Sequence, residues 1–132
     1  MVQKLRLSTK TRVEFQNITG LVQDVVSSSG IRNGLCHIFV PHTTAAITVN
    51  EQADPDVVAD IIAQLDALVP QRGKYRHTEG NAAAHIKASL LGSSETLTVE
   101  NGRLFLGTWQ GIFFCEFDGP RSRSALVKVV AE

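Results

Sequence analysis

The tightest constraint on this fold is the segment from Asp54 to Pro70, where boundary signals and period agree. Asp54 suits an N-cap and Pro55 suits the first helical position, where its missing N–H costs nothing. Val57, Val58, Ile61, Ile62, Leu65 and Leu68 then recur at helical spacing in one apolar stripe, which Pro70 ends. Such a stripe has to be buried against something, and the rest of the chain offers mainly strand patterns.

Strands are expected at Lys4–Ser8, Gly34–Val40, Ala45–Asn50, Glu95–Glu100, Arg103–Trp109, Ile112–Asp118 and Ser124–Val130. Asn101-Gly102 is the turn of a hairpin, and Pro41 ends the second strand, so that Pro41-His42-Thr43-Thr44 connects it to the third. Two further helices are expected, Asn17–Ser29 stopped by Gly30, and Ala82–Leu91 between Asn81 and Gly92. About seven strands and three helices with mostly short connections make the class α+β with mainly antiparallel pairing. Helices on one face of a sheet and a bent sheet folded on itself fit equally well. A length of 132 residues with 43% hydrophobic content predicts one compact domain over residues 1–132.

Thirteen basic and thirteen acidic residues give a formal charge of zero. The basic residues are scattered, which argues against a nucleic-acid partner or a polybasic membrane anchor. The N-terminus alternates polar and apolar residues and no apolar run reaches spanning length, so a soluble, cytoplasmic protein is expected. Cys36 and Cys115 lie in apolar strand patterns and read as two buried thiols.

The chemistry-bearing residues gather at junctions between elements. His42, His77 and His85 can supply three neutral nitrogen ligands to Zn²⁺ or a similar ion and leave a position open, although unpatterned histidines also serve as loop and capping residues. His37, inside a strand beside Phe39, reads as structural. The polar loop from Pro70 to Gly80 carries His77 and suits a site wall or lid. Asn81 before three alanines is either an ordinary cap or a cap whose helix also holds an anion.

Period two in Ile112–Asp118 puts Phe113, Cys115 and Phe117 on one face and Ile112, Phe114, Glu116 and Asp118 on the other. The two carboxylates either pair with Arg121 and Arg123 or act as acid/base groups. Arg121 and Arg123, on one side of an extended chain, form a phosphate clamp if they are not simply solvated. Gln110 can bond a polar ligand. No nucleophile elbow, P-loop or dinucleotide fingerprint is present.

Pro41-His42-Thr43-Thr44-Ala45, Asn50-Glu51-Gln52-Ala53-Asp54-Pro55, GNAAAHIKASLL from Gly80 to Leu91, GTWQG from Gly107 to Gly111, and Asp118-Gly119-Pro120-Arg121 together resemble the YjbQ family, also called UPF0047 or secondary thiamine-phosphate synthase. The resemblance spans essentially the whole chain. It implies a β-sandwich-like sheet arrangement in a homotrimer with a polar, histidine-containing pocket. By position it implies a divalent metal on His42, His77 and His85, zinc first, with magnesium, manganese or nickel as alternatives.

Thr43, Asn50, Asn81, Gln110, Arg121 and Arg123 would bind substrate or phosphate, and Glu51 and Glu116 would be the acid/base candidates. The implied reaction joins hydroxymethylpyrimidine diphosphate to a thiazole phosphate, releasing pyrophosphate. The expectation is therefore a small metal-dependent enzyme acting on a phosphorylated or anionic small molecule. The rivals are a non-catalytic trimer that binds a metal or a phosphorylated metabolite, and a metal-assisted hydrolase.

Overall fold

The two-faced alternation around Phe113 and Phe114 is realised as two apolar cores, one on each side of a small central sheet. The computed structural model describes all residues, Met1–Glu132. In chain order the elements are β1 (Val2–Ser8), β2 (Glu14–Asn17), α1 (Thr19–Ser29), β3 (Gly34–Phe39), β4 (Ala45–Glu51), α2 (Pro55–Leu68), α3 (Ala82–Leu91), β5 (Ser94–Glu100), β6 (Arg103–Leu104), β7 (Gln110–Glu116) and β8 (Ser122–Ala131). A five-stranded sheet runs β1-β8-β3-β5-β6 and a three-stranded sheet runs β2-β7-β4. Every pairing is antiparallel.

Ile112 and Phe114 of β7 face the large sheet, where they join Cys36, Ile38, Val99, Ala125 and Val127 in the first core. Helix α1 adds Val22 and Val26 to it. Phe113, Cys115 and Phe117 face the other way, into a second core with Ala46, Ala84 and Ala88, against which Val58 and Leu65 of α2 also pack. The result is an α+β sandwich in which α2 and α3 cover the outer side of the small sheet. Each buried aromatic or branched side chain contributes about 1.5–3 kcal/mol by leaving water.

Local signals set the helix ends. The Asp54 carboxylate accepts the Asp56 N–H at 2.9 Å, and Gly30 closes α1 in the left-handed region at φ 71°. None of the residues of α2 is fully buried, and Leu68 stays 66% exposed.

Two strand expectations need correction. The hairpin turn forms, with positive φ at Asn101 and Gly102, but β6 covers only Arg103–Leu104, and Phe105 and Trp109 lie exposed in irregular chain. Gln110 holds that segment by accepting the Gly107 N–H at 2.8 Å. Strand β2 was not expected, because four residues with one large apolar side chain carry too little periodicity.

Cys36 and Cys115 are free and buried, in different cores. His37 is a surface cross-strand partner of Thr96, with Nδ1 at 2.8 Å from the threonine hydroxyl. No helix is long and apolar enough to cross a membrane.

Candidate functional site around His42

Strand β3 ends at Phe39, shortly before Pro41, which has no N–H for the ladder. Continued past the Phe39↔Leu126 pair, the β3–β8 register would set Pro41 opposite Ser124. The Ser124 N–H donates instead to His42 Nε2, at 3.0 Å. A neutral imidazole has one lone pair, so with Nε2 accepting, the proton sits on Nδ1 and the ring offers a donor. Burial, then the nearby Arg123 guanidinium and more weakly the Lys4 ammonium, hold His42 below the usual imidazole range, against the opposing charge of Glu116.

Behind His42 the two sheets are tied by a buried ion pair. Glu116 is wholly buried at the end of β7, and Arg123 reaches it from the inner face of β8. Arg123 Nε donates to Oε1 at 2.8 Å and Nη2 donates to Oε2. The Thr9 hydroxyl adds a bond to Oε1 at 2.7 Å and the Asp118 N–H one to Oε2 at 3.0 Å. Nη2 also reaches the Thr44 hydroxyl at 2.8 Å. Burial alone would raise the Glu116 pKa, but the bonds from Arg123, Thr9 and Asp118 outweigh it and leave the carboxyl below its ordinary value. Glu116 therefore holds the sheets together, with four donors on its two oxygens.

Arg121 and Arg123 do not converge as one clamp. Regular alternation starts only at Ser122, so Arg121 turns to the surface and bonds Asp118 through Nη2 at 3.0 Å and the Asp118 carbonyl through Nε at 2.7 Å. Asn81 occupies the N-cap position of α3, yet its side chain makes no cap bond; Nδ2 donates to Asp118 at 2.9 Å. Its Oδ1 is buried without a partner. A carboxylate thus stands where a phosphate was expected beside Arg121 and Asn81.

His85, on α3, shares with His42 an open cleft of about 520 Å³ that Thr43, Ser89 and Ser93 also line. His77, in the loop before α3, packs edge-on against His85 with ring centroids 5.2 Å apart. That loop is a pinned wall: Tyr75 donates to the Pro70 carbonyl at 2.5 Å and Gln71 to the Gly80 carbonyl at 2.9 Å. The three histidines thus occupy one end of the molecule, with His85 between the other two.

They do not close into a ligand set within one chain. No three His, Cys, Asp or Glu side chains gather closely enough to share an ion, and the His42 lone pair is already taken by Ser124.

Asn50, Glu51 and Gln110 lie elsewhere. Ala45 pairs with Glu116 and Glu51 with Gln110, so these polar residues sit at the far end of β4, about 20 Å from the His42 end at about 3.3 Å per residue. There Asn50 accepts the Glu51 N–H at 2.7 Å and Glu51 accepts the Ala53 N–H at 2.9 Å.

Lys4, Arg6 and Ser8 carry no motif of their own. With Ser122, Ser124 and Arg123 they line a second groove that meets His42 from the large sheet. Period-two alternation in β1 already put them on one face; what it lacked was the β1–β8 pairing that carries this face to His42.

Residues 3–132 match the family described as UPF0047 protein YjbQ-like. The chain is 48% identical over 132 residues to UPF0047 protein MJ1081 of Methanocaldococcus jannaschii, covering 100% of this chain and 96% of that protein. It is 49% identical over 131 residues to UPF0047 protein YugU of Bacillus subtilis, covering 98% and 99% respectively. A crystal structure of a YjbQ/UPF0047-family protein from Clostridium acetobutylicum superposes with a TM-score of 0.96 at 53% identity, covering 97% of this chain and 99% of that one. With this sandwich, these motifs and near-complete coverage, the chain belongs to the YjbQ-like UPF0047 family.

Proposed function

We propose that the cleft between His42 and His85 takes a small phosphorylated or otherwise anionic molecule and catalyses a group transfer in which a phosphate-bearing leaving group departs. The observation that carries this reading is the Ser124 N–H bond to Nε2 of His42, a residue that lines the cleft: it puts the proton on Nδ1 and makes the ring a fixed donor. A fixed N–H stabilises charge that develops on a departing oxygen without reorganising at the moment of reaction. Thiamine-phosphate synthesis is one such case. The bond from the pyrimidine methylene carbon to diphosphate oxygen breaks, the thiazole nitrogen bonds that carbon, and no proton has to be abstracted. Glu116, enclosed by its four donors, and Glu51, at the far end of β4, leave this cleft better suited to assisting departure than to carboxylate base chemistry.

Under this proposal a divalent ion has a narrower place than three imidazoles of one chain. His77 and His85 supply two donors, and the remaining positions come from substrate or from another copy in the expected homotrimer.

The test is release of pyrophosphate or phosphate from hydroxymethylpyrimidine diphosphate with thiazole phosphate, and from a panel of phosphate esters, for wild type, His42→Ala and His85→Ala. Loss of at least about 100-fold in both variants, with circular dichroism unchanged, is the expected result. Equal turnover in all three proteins sinks the assignment. Saturable binding with no turnover in wild type moves the site to the second reading, a metabolite-binding protein, which the enclosure of Glu116 favours.

A further inference from the structure

The groove on the large sheet beside His42 is built for an anion of its own. Lys4, Arg6 and Ser8 alternate outward on β1, and register sets Arg6 beside Ser124 and Ser8 beside Ser122. The groove measures about 420 Å³, and its lining holds two cationic side chains, three serines, His42 and the edge of Arg123, with no carboxylate. That is unusual in a chain with equal numbers of acidic and basic residues. Lys4 and Arg6 make no salt bridge.

Two like charges on neighbouring same-face positions repel one another, about 7 Å apart along a strand. An edge strand does use charged side chains to discourage pairing with other chains. That role, however, does not call for serines on the adjacent strand or for convergence on a neutral imidazole donor.

Resting on the reading of the His42–His85 cleft given above, we infer that this groove is the docking subsite for the phosphate of the substrate. Lys4 and Arg6 supply charge, and the hydroxyls of Ser8, Ser122 and Ser124 supply hydrogen bonds. His42 stands at the boundary of groove and cleft and is shared by both. The substrate class is therefore a phosphate ester whose phosphate lies over the large sheet while its reacting end lies between His42 and His85. The pair Arg121–Asp118 is not the anchor, because its carboxylate already neutralises the guanidinium.

The test is titration of the full chain with inorganic phosphate, followed by amide chemical shifts in heteronuclear NMR, for wild type, the double variant Lys4→Gln/Arg6→Gln, Arg121→Gln and His85→Ala. Saturable shifts centred on Ser8, Ser122 and Ser124 are expected in wild type. Affinity should fall at least about tenfold in the double variant and stay unchanged in Arg121→Gln and His85→Ala. Thermal melts confirm that each variant is folded; the substituted β1 side chains are largely exposed. No saturable shift at millimolar phosphate, shifts centred on Asn81 and Arg121, or full affinity in the double variant each overturns the subsite. The cleft reading fails separately, through turnover that ignores His85→Ala.

Discussion

Replacing Glu116 by Gln should be among the most damaging single changes available to this chain. The substitution keeps the shape but removes the charge, and it leaves the guanidinium of Arg123, only 8% exposed, without its counter-ion. Breaking a buried pair from one side costs about 3–5 kcal/mol, because the orphaned charge stays desolvated. For a chain of 132 residues, an unfolding entropy of about 2.1 cal/mol/K per residue converts each kcal/mol to about 4 °C, so the melting point should drop by about 10–20 °C. Arg123→Met should cost a similar amount, by leaving Glu116 buried and unpaired. The double replacement Glu116→Gln/Arg123→Met removes both charges and should recover at least half of the summed loss. Thermal and urea unfolding of the four proteins measure this cycle. Single variants within about 1 kcal/mol of wild type, or a double variant equal to the sum of the singles, would show that the pair does not tie the sheets together.

Two further outcomes follow from the same region. A Cβ on Gly119 would lie 2.2 Å from the Thr11 carbonyl oxygen and 2.9 Å from Glu116 Cγ, so Gly119→Ala should destabilise by about 1–3 kcal/mol in urea unfolding, and an unchanged midpoint would refute the crowding. Acid should weaken the fold in two stages, since both shifted groups have folded pKa values below their unfolded ones. The contribution of His42 is complete above about pH 6.5 and fades as pH falls below it; that of Glu116 is complete above about pH 4.3 and fades below that. Melting points should therefore be level above about pH 7 and decline in acid; a higher melting point at pH 5 than at pH 7.5 would contradict the sign for His42, and a higher one at about pH 3 than at pH 5 the sign for Glu116.

Legibility in the sequence followed the range of the physics involved. The helix from Pro55 to Leu68 could be read because capping and periodicity are local, and the two faces of β7 because alternation is local. Strand β6 was overestimated because Arg103 to Trp109 looks strand-like, while the Gln110 contact that folds the chain back on Gly107 leaves no periodic trace. Which carboxylate pairs with which arginine depends on which strand faces which, and no local pattern carries that. Arg123 found Glu116 because it lies on the inner face of the opposite sheet. Asn50 and Glu51 are near His42 in sequence and far from it in space, because a seven-residue strand carries the chain away.

The two cysteines supply a means of watching the two cores separately. Cys36 belongs to the layer between the sheets and Cys115 to the layer under the helices, with the small sheet standing between them. Burial pushes the Cys36 thiol up to about 11 and raises that of Cys115 as well, so neither is a competent nucleophile while its layer is closed. Labelling of each thiol by an aqueous reagent then reports how often that layer opens. If α2 and α3 lift from the small sheet without separating the sandwich, Cys115 is modified first; if the molecule opens only as a whole, the two react together.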